Sequence, residues 1–172
     1  MANLKIPDFG SFDKRKISQS TKIYDRTGKI LLYDIHQDIK RRVVPLENIS
    51  TYIQKATIAI EDSDFYTHNG IKIESIIRAV WVNLTKGGAV QGGSTITQQV
   101  IKNTLLTQEK SVTRKITEWI LALKLDKVLS KQQILSIYLN ESPYGGTVYG
   151  VEEATQRFFN KKASDVTLAE AA

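Results

Sequence analysis

The sequence predicts a mainly α-helical domain with one small β-hairpin near its N-terminus. Three observations point there. Apolar residues recur at three- and four-residue intervals through most of the chain beyond residue 48, the spacing that lines one face of a helix. Strand-like patterning is confined to a short stretch around Gly28. The chain has 172 residues, 41% hydrophobic and 24% charged, with 10 Gly, 3 Pro and no repeat or low-complexity tract, which suits one sizeable core without an internal linker.

Taken in order, residues 1–20 are polar and aperiodic and read as an extended lead-in to a single domain over 21–172. Thr21-Lys22-Ile23-Tyr24 and Lys29-Ile30-Leu31-Leu32-Tyr33 flank Asp25-Arg26-Thr27-Gly28, a strand, turn and strand in which Gly28 supplies positive φ. A lone hairpin is marginal, so it needs something to pack on. From Asn48, the residues Ile49, Tyr52, Ile53, Ala56 and Ile60 mark a first helix that ends at Glu61-Asp62. Two carboxylates there oppose the helix macrodipole, and such a broken local rule marks a candidate functional site.

Ile73, Ile76, Ile77, Val80, Trp81 and Leu84 predict a second helix, stopped by Gly87-Gly88. Residues 88–93 then form a flexible loop, and Ser94 or Thr95 caps a third helix through about residue 106. A fourth, over about 113–129, is apolar nearly all round and is expected to be central. Ser130 caps a fifth helix carrying Ile134, Leu135, Ile137, Tyr138 and Leu139. Pro143-Tyr144-Gly145-Gly146 is a loop and 151–159 a short helix. Thr167-Leu168-Ala169-Glu170 is a capping box that opens a helix cut short at Ala172, so the chain is expected to be a piece of a longer protein.

The absence of cysteine excludes a disulfide framework and thiolate chemistry without fixing the compartment. The net charge of +6 favours a polyanionic partner: nucleic acid, an anionic membrane surface or a phosphorylated substrate. Residues 100–131 hold seven basic side chains against three acidic ones, so much of the charge follows the third helix start. No apolar run approaches the roughly 20 residues of a membrane span, and the first residues lack the apolar core of a signal peptide. The chain is expected to be soluble or peripheral, with any anchor outside it.

Three segments carry candidate chemistry. Glu61-Asp62-x-x-Phe65-x-x-His68-x-Gly70 reads either as an acidic helix end or as a site whose carboxylate is a general base. His68 fits a structural histidine better than a metal ligand, since His36 has no ligand-like spacing to it. Gly92-Gly93-Ser94-Thr95-Ile96-Thr97-Gln98-Gln99 reads as a loop and cap, or as hydrogen-bonding groups at a helix N-terminus facing an anion or sugar. Lys102, Lys110, Arg114 and Lys115 read as a solvated basic face, or, with Glu118 on the same helical side as Arg114 and Lys115, as a cavity suited to a diphosphate. Two separated carboxylates, sugar-type donors and a cationic cluster together suit glycosyl transfer with a pyrophosphate leaving group.

At these residues the chain resembles the peptidoglycan glycosyltransferase domain, glycosyltransferase family 51, of class A penicillin-binding proteins and monofunctional transglycosylases. The five motifs of that family occur in order: the Glu61 to Gly70 pattern; Gly93-Ser94-Thr95-Ile96-Thr97-Gln98-Gln99; Arg114-Lys115-x-x-Glu118; Lys131-x-x-Ile134-Leu135-x-x-Tyr138-Leu139-Asn140-Glu141; and Gly150-Val151-x-x-Ala154. The resemblance covers roughly Ile6 to the end. It implies a lysozyme-like helical domain with a mobile jaw lobe over a membrane-facing cleft. It also implies a reaction, the polymerisation of lipid II into β-1,4-linked glycan, with inversion and release of undecaprenyl pyrophosphate.

By that resemblance Glu61 deprotonates the acceptor 4-hydroxyl, while Lys102, Arg114 and Lys115 hold the donor pyrophosphate. Glu118 organises the cluster, with Mg2+ or Mn2+ as an optional, pyrophosphate-bound cation rather than an obligatory cofactor. Ser94, Thr97, Gln98 and Gln99 position sugars and phosphates, and Lys110, Asp62, His68 and Asn103 complete the binding set. Lys110 stands where many members carry arginine, which weakens bidentate phosphate binding, and Asn160 replaces a commoner glycine. The implied partners are lipid II, the growing glycan, an anionic membrane surface, and a transpeptidase domain or cell-wall synthesis proteins in the parent. The implied location is the outer face of the bacterial cytoplasmic membrane, anchored by a transmembrane helix not present in this chain, and moenomycin is the implied inhibitor. A lytic, lysozyme-like enzyme would share the fold and a glutamate but has little use for the cations from Lys102 to Lys115. A nucleic-acid-binding module would suit Lys40-Arg41-Arg42 but lacks aromatics interleaved on a basic surface, so no nucleic acid is expected as a partner.

Overall fold

A computed structural model describes residues 21–27, 29, 31–35, 40–75, 77, 93–106 and 111–172. The lead-in over 1–20, the expected positive φ of Gly28, most of the expected second helix, the expected glycine loop apart from Gly93, and Lys110 lie outside the described residues. Ile73, Glu74 and Ser75 are helical where that second helix was expected to begin.

The described fold is mainly α. An antiparallel hairpin pairs β1 (Thr21–Tyr24) with β2 (Leu31–Ile35), with a register irregularity between Ile23 and Tyr24. The second strand starts two residues later than the alternation suggested. Asp25 explains the shift: its carboxylate accepts from the Lys29 N–H at 3.1 Å and the Thr27 hydroxyl at 2.6 Å, drawing Lys29 into the turn.

Among the described residues, six α-helices with both ends in view follow: α1 (Thr51–Glu61), α2 (Ile96–Leu105), α3 (Val112–Val128), α4 (Lys131–Glu141), α5 (Val151–Phe159) and α6 (Leu168–Ala171). Their starts follow local capping chemistry. Ser50, Thr95, Ser111, Ser130 and Thr167 each accept a backbone N–H in the first turn, and Thr95, Ser130 and Thr167 complete reciprocal boxes with Gln98, Gln133 and Glu170. Asn160 ends α5 at φ 53, a left-handed conformation that asparagine tolerates better than other side chains, so it stands in for glycine without strain.

The central helix is α2, not α3. α2 packs on both α3 and α4 and buries Ile96, Val100 and Ile101 against Leu125, Leu135 and Leu139. By contrast α3 leaves Val112 79%, Ile116 46% and Val128 52% exposed, so its apolar residues serve two faces, only one of which is in the core. Two glycines allow the close approaches this packing needs. A Cβ on Gly70 (φ +84) would lie 2.6 Å from the Ala122 carbonyl oxygen, and one on Gly150 (φ +80) the same distance from that of Asn140.

The remaining connections tie the N-terminal segment to the helices. Lys40–Arg41 (β3) pairs in parallel with Val148–Tyr149 (β4), and the Asn140 amide brackets Val44, accepting from its N–H at 2.9 Å and donating to its carbonyl at 3.0 Å. None of the described helices is long and apolar enough to cross a membrane.

Candidate functional site

The site begins where α1 ends. Asp62 is the C-cap of α1 and is 2% exposed, and the partners its carboxylate needs come from other segments. It accepts from the N–H of Ile96 at 3.0 Å, the first residue of α2, and pairs with Lys72 Nζ at 2.9 Å and His68 Nε2 at 2.8 Å. The negative charge that opposes the dipole of α1 therefore sits on the positive end of α2, which supplies the compensation absent from the local sequence. His68 Nδ1 accepts from the Gly70 N–H at 3.1 Å, so the neutral ring carries its proton on Nε2 and donates it to Asp62. Lys72 bridges Asp62 and Asp64. Burial opposes its charge, but the two carboxylates outweigh that and raise its pKa, while Lys72 lowers that of Asp64.

This clamp brings Glu61, the exposed last residue of α1, against α2. Glu61 Oε2 accepts from Gln99 Nε2 at 2.7 Å. A cavity of about 280 Å³ opens beside the pair, lined by Ile60, Glu61, Gly93, Ser94, Gln99, Lys102 and Glu118. Lys102 lies one turn beyond Gln99 on the same side of α2 and is exposed.

Across the cavity, Glu118 is 1% exposed and flanked by two cations. Arg114 donates to Oε2 at 3.1 Å, Lys115 donates to Oε1, and Lys115 also donates to Ser94 Oγ at 2.9 Å. A buried carboxylate held this way fixes where its cations stand. Both oxygens of Glu118 are thus engaged, and among the described residues no group of three His, Cys, Asp or Glu side chains could hold a metal. Lys102 lines the cavity, and Arg114 and Lys115 are bound to its Glu118 wall.

A second cavity, of about 230 Å³, lies on the other side of Glu61 and is lined by Ala56, Thr57, Ile60, Tyr138, Ser142 and Tyr144 among others. Burial, and then the negative charge of Glu61, raise the pKa of the Tyr138 phenol; burial chiefly raises that of Tyr144, with Tyr138 and Glu61 adding to it. Both phenols therefore stay protonated and able to donate. A larger cavity, about 690 Å³, is lined by Asp64, Thr67, His68, Asn69, Lys72 and Leu123 among others and shares no residue with either. Volume does not single out the site; the convergence of base, cations and hydroxyls around Glu61 does.

Of the residues predicted from sequence, Glu61, Ser94, Gln99, Lys102 and Glu118 line one cavity, with Arg114 and Lys115 bound to its Glu118 wall. Asp62, His68, Thr97 and Gln98 are part of the frame instead. Thr97 and Gln98 are buried, Gln98 Oε1 accepting from the Thr95 N–H at 2.7 Å and Thr97 lying 3.5 Å from Asp126. Asn103 is half-buried and lines neither Glu61 cavity. Tyr138, which the fourth motif contains but to which the sequence assigned no role because it falls on the apolar stripe of α4, and Tyr144, in a loop with no periodicity, line the second cavity.

A family model described as Transglycosylase matches residues 28–172. The chain belongs to the transglycosylase family. It is the peptidoglycan glycosyltransferase family that the five motifs resemble. Over 170 residues this transglycosylase is 39% identical to penicillin-binding protein 1A of Rickettsia prowazekii (strain Madrid E), covering 97% of this chain and 21% of that protein. Over 162 residues it is 46% identical to penicillin-binding protein 1A of Clostridium perfringens (strain 13 / Type A), covering 92% of this chain and 24% of that one. The protein of the same name from Neisseria flavescens is 39% identical over 168 residues, covering 98% of this chain and 21% of its own length. The transglycosylase chain thus spans about a fifth to a quarter of the relatives it matches.

Proposed function

We propose that this transglycosylase polymerises lipid II into β-1,4-linked glycan by direct displacement, inverting the anomeric centre and releasing undecaprenyl pyrophosphate. The observation that supports this most is that Glu61, Lys102 and Glu118 line one cavity, with Arg114 and Lys115 bound to its Glu118 wall, so that a base and cations for a pyrophosphate stand around the same space.

In this reading the Glu61 carboxylate, one oxygen held by Gln99, takes the proton of the acceptor 4-hydroxyl with its other oxygen. The freed oxygen attacks C1 of the donor sugar as the bond from C1 to the phosphate oxygen breaks. The electron pair leaves with the pyrophosphate, whose growing charge is met by Lys102, Arg114 and Lys115. No covalent enzyme intermediate is required, so no residue serves as nucleophile. The smaller cavity beside Tyr138 and Tyr144 supplies room on the far side of Glu61 for the second sugar chain. Mg2+ or Mn2+, if present, travels with the pyrophosphate.

The reading extends to the parent protein: a chain anchored at the outer face of the cytoplasmic membrane, working on lipid II and the growing glycan, with a transpeptidase domain like that of class A penicillin-binding proteins. The deciding experiment incubates the chain with lipid II in detergent and separates the products by size. Glycan polymer supports the proposal. Cleavage of purified glycan with no polymer formed would establish a lytic enzyme instead.

A further inference from the structure

Gln99 holds Glu61, and Tyr138 lies behind Gln99. The phenol oxygen of Tyr138, on α4, is 3.4 Å from Gln99 Oε1, while Gln99 Nε2 is 2.7 Å from Glu61 Oε2. An amide has one accepting end and one donating end. Turned over, it would set its oxygen against the Glu61 carboxylate and its NH2 against the phenol. A neutral phenol that donates to Oε1 selects the orientation in which the NH2 points at Glu61.

We propose that Tyr138 is a positioning residue for glycosyl transfer, acting through Gln99 to fix which Glu61 oxygen is held and which is left for the acceptor hydroxyl. The three residues come from α4, α2 and α1, so the relay joins three helices at the one point where two cavities meet. Tyr138 is buried, and burial together with the Glu61 charge keeps its phenol protonated. The other groups around Glu61 are Lys102 and Glu118 across the cavity of about 280 Å³ and Tyr144 on the Tyr138 side.

The inference rests on the lipid II reading, and its test separates the two. Tyr138→Phe keeps the ring and removes only the hydroxyl. It is expected to lower kcat for lipid II polymerisation about tenfold with KM nearly unchanged, and Gln99→Leu to lower it at least as much. The double variant should be no slower than Gln99→Leu alone, since Tyr138 has nothing to act through once the amide is gone. Multiplying effects, or a change confined to KM, would overturn the relay. Loss of polymerisation by the wild-type chain would overturn the lipid II reading instead. In that case the exchange of the Gln99 side-chain amide protons, followed by 15N NMR, still decides the relay: faster exchange in Tyr138→Phe supports it, and unchanged exchange refutes it.

Discussion

The Asp62 carboxylate accepts a hydrogen bond from the backbone N–H of Ile96, joining the last turn of one helix to the first turn of another. The pair of acidic residues at 61 and 62 divides its labour accordingly. Asp62 turns inward and carries the junction, while Glu61 stays exposed at the cavity.

Removing Asp62 is expected to cost stability first. Asp62→Ala leaves Lys72, His68 and the Ile96 N–H without their shared acceptor, a change that typically costs about 3–5 kcal/mol for a buried ion pair. Against a total stability of about 5–15 kcal/mol, the urea midpoint should fall sharply. An unchanged midpoint would remove Asp62 from the frame.

Glu61→Gln is expected to behave in the opposite way. The glutamine can still accept from Gln99, so folding and lipid II binding should persist, while polymerisation falls by about 10²–10⁴ with the loss of the base. Equal losses of binding and rate would assign Glu61 a binding role.

Glu118 orders the cations rather than touching the sugar. A neutral Glu118→Gln cannot hold Arg114 and Lys115 on its two oxygens, and kcat/KM should drop about 10²-fold as the charge facing the leaving group is lost. Because Arg114 and Lys115 already stand at Glu118 to meet the leaving charge, EDTA is expected to leave polymerisation measurable in the wild type. Complete loss in EDTA, restored by Mg2+, would show that a metal is part of the site.

At the C-terminus, Lys161 and the Thr167 hydroxyl and N–H hold the Glu170 carboxyl down to about 2. A lowered folded-state pKa stabilises the fold above the unfolded value, about 4.3 for Glu, and that contribution disappears as pH falls through the folded value. Wild type should therefore exceed Glu170→Gln in stability at pH 6, with the gap closing between about pH 4.3 and 2. Urea midpoints of both proteins at pH 6, 4, 3 and 2 test this; a constant gap would show that the carboxylate charge contributes nothing. The same bond steadies α6, whose Ala171 lines the Tyr138 cavity.

The helices and their starts were legible in the sequence because capping is local. Ser50, Thr95, Ser130 and Thr167 each reach a backbone N–H within three residues, and no distant contact is needed to predict that. The chemical class was legible too, since the residue types at Glu61, Lys102, Arg114, Lys115 and Glu118 and their spacing are read directly from the chain. Only the tertiary structure decided which polar residues face the cleft. Gln98 and Gln99 are adjacent in sequence, yet successive helix residues point about 100° apart, so one closes a capping box while the other reaches Glu61. It was also packing, with α3 and α4 both lying on α2, that made α2 the core helix and brought Tyr138, 39 residues away, behind Gln99.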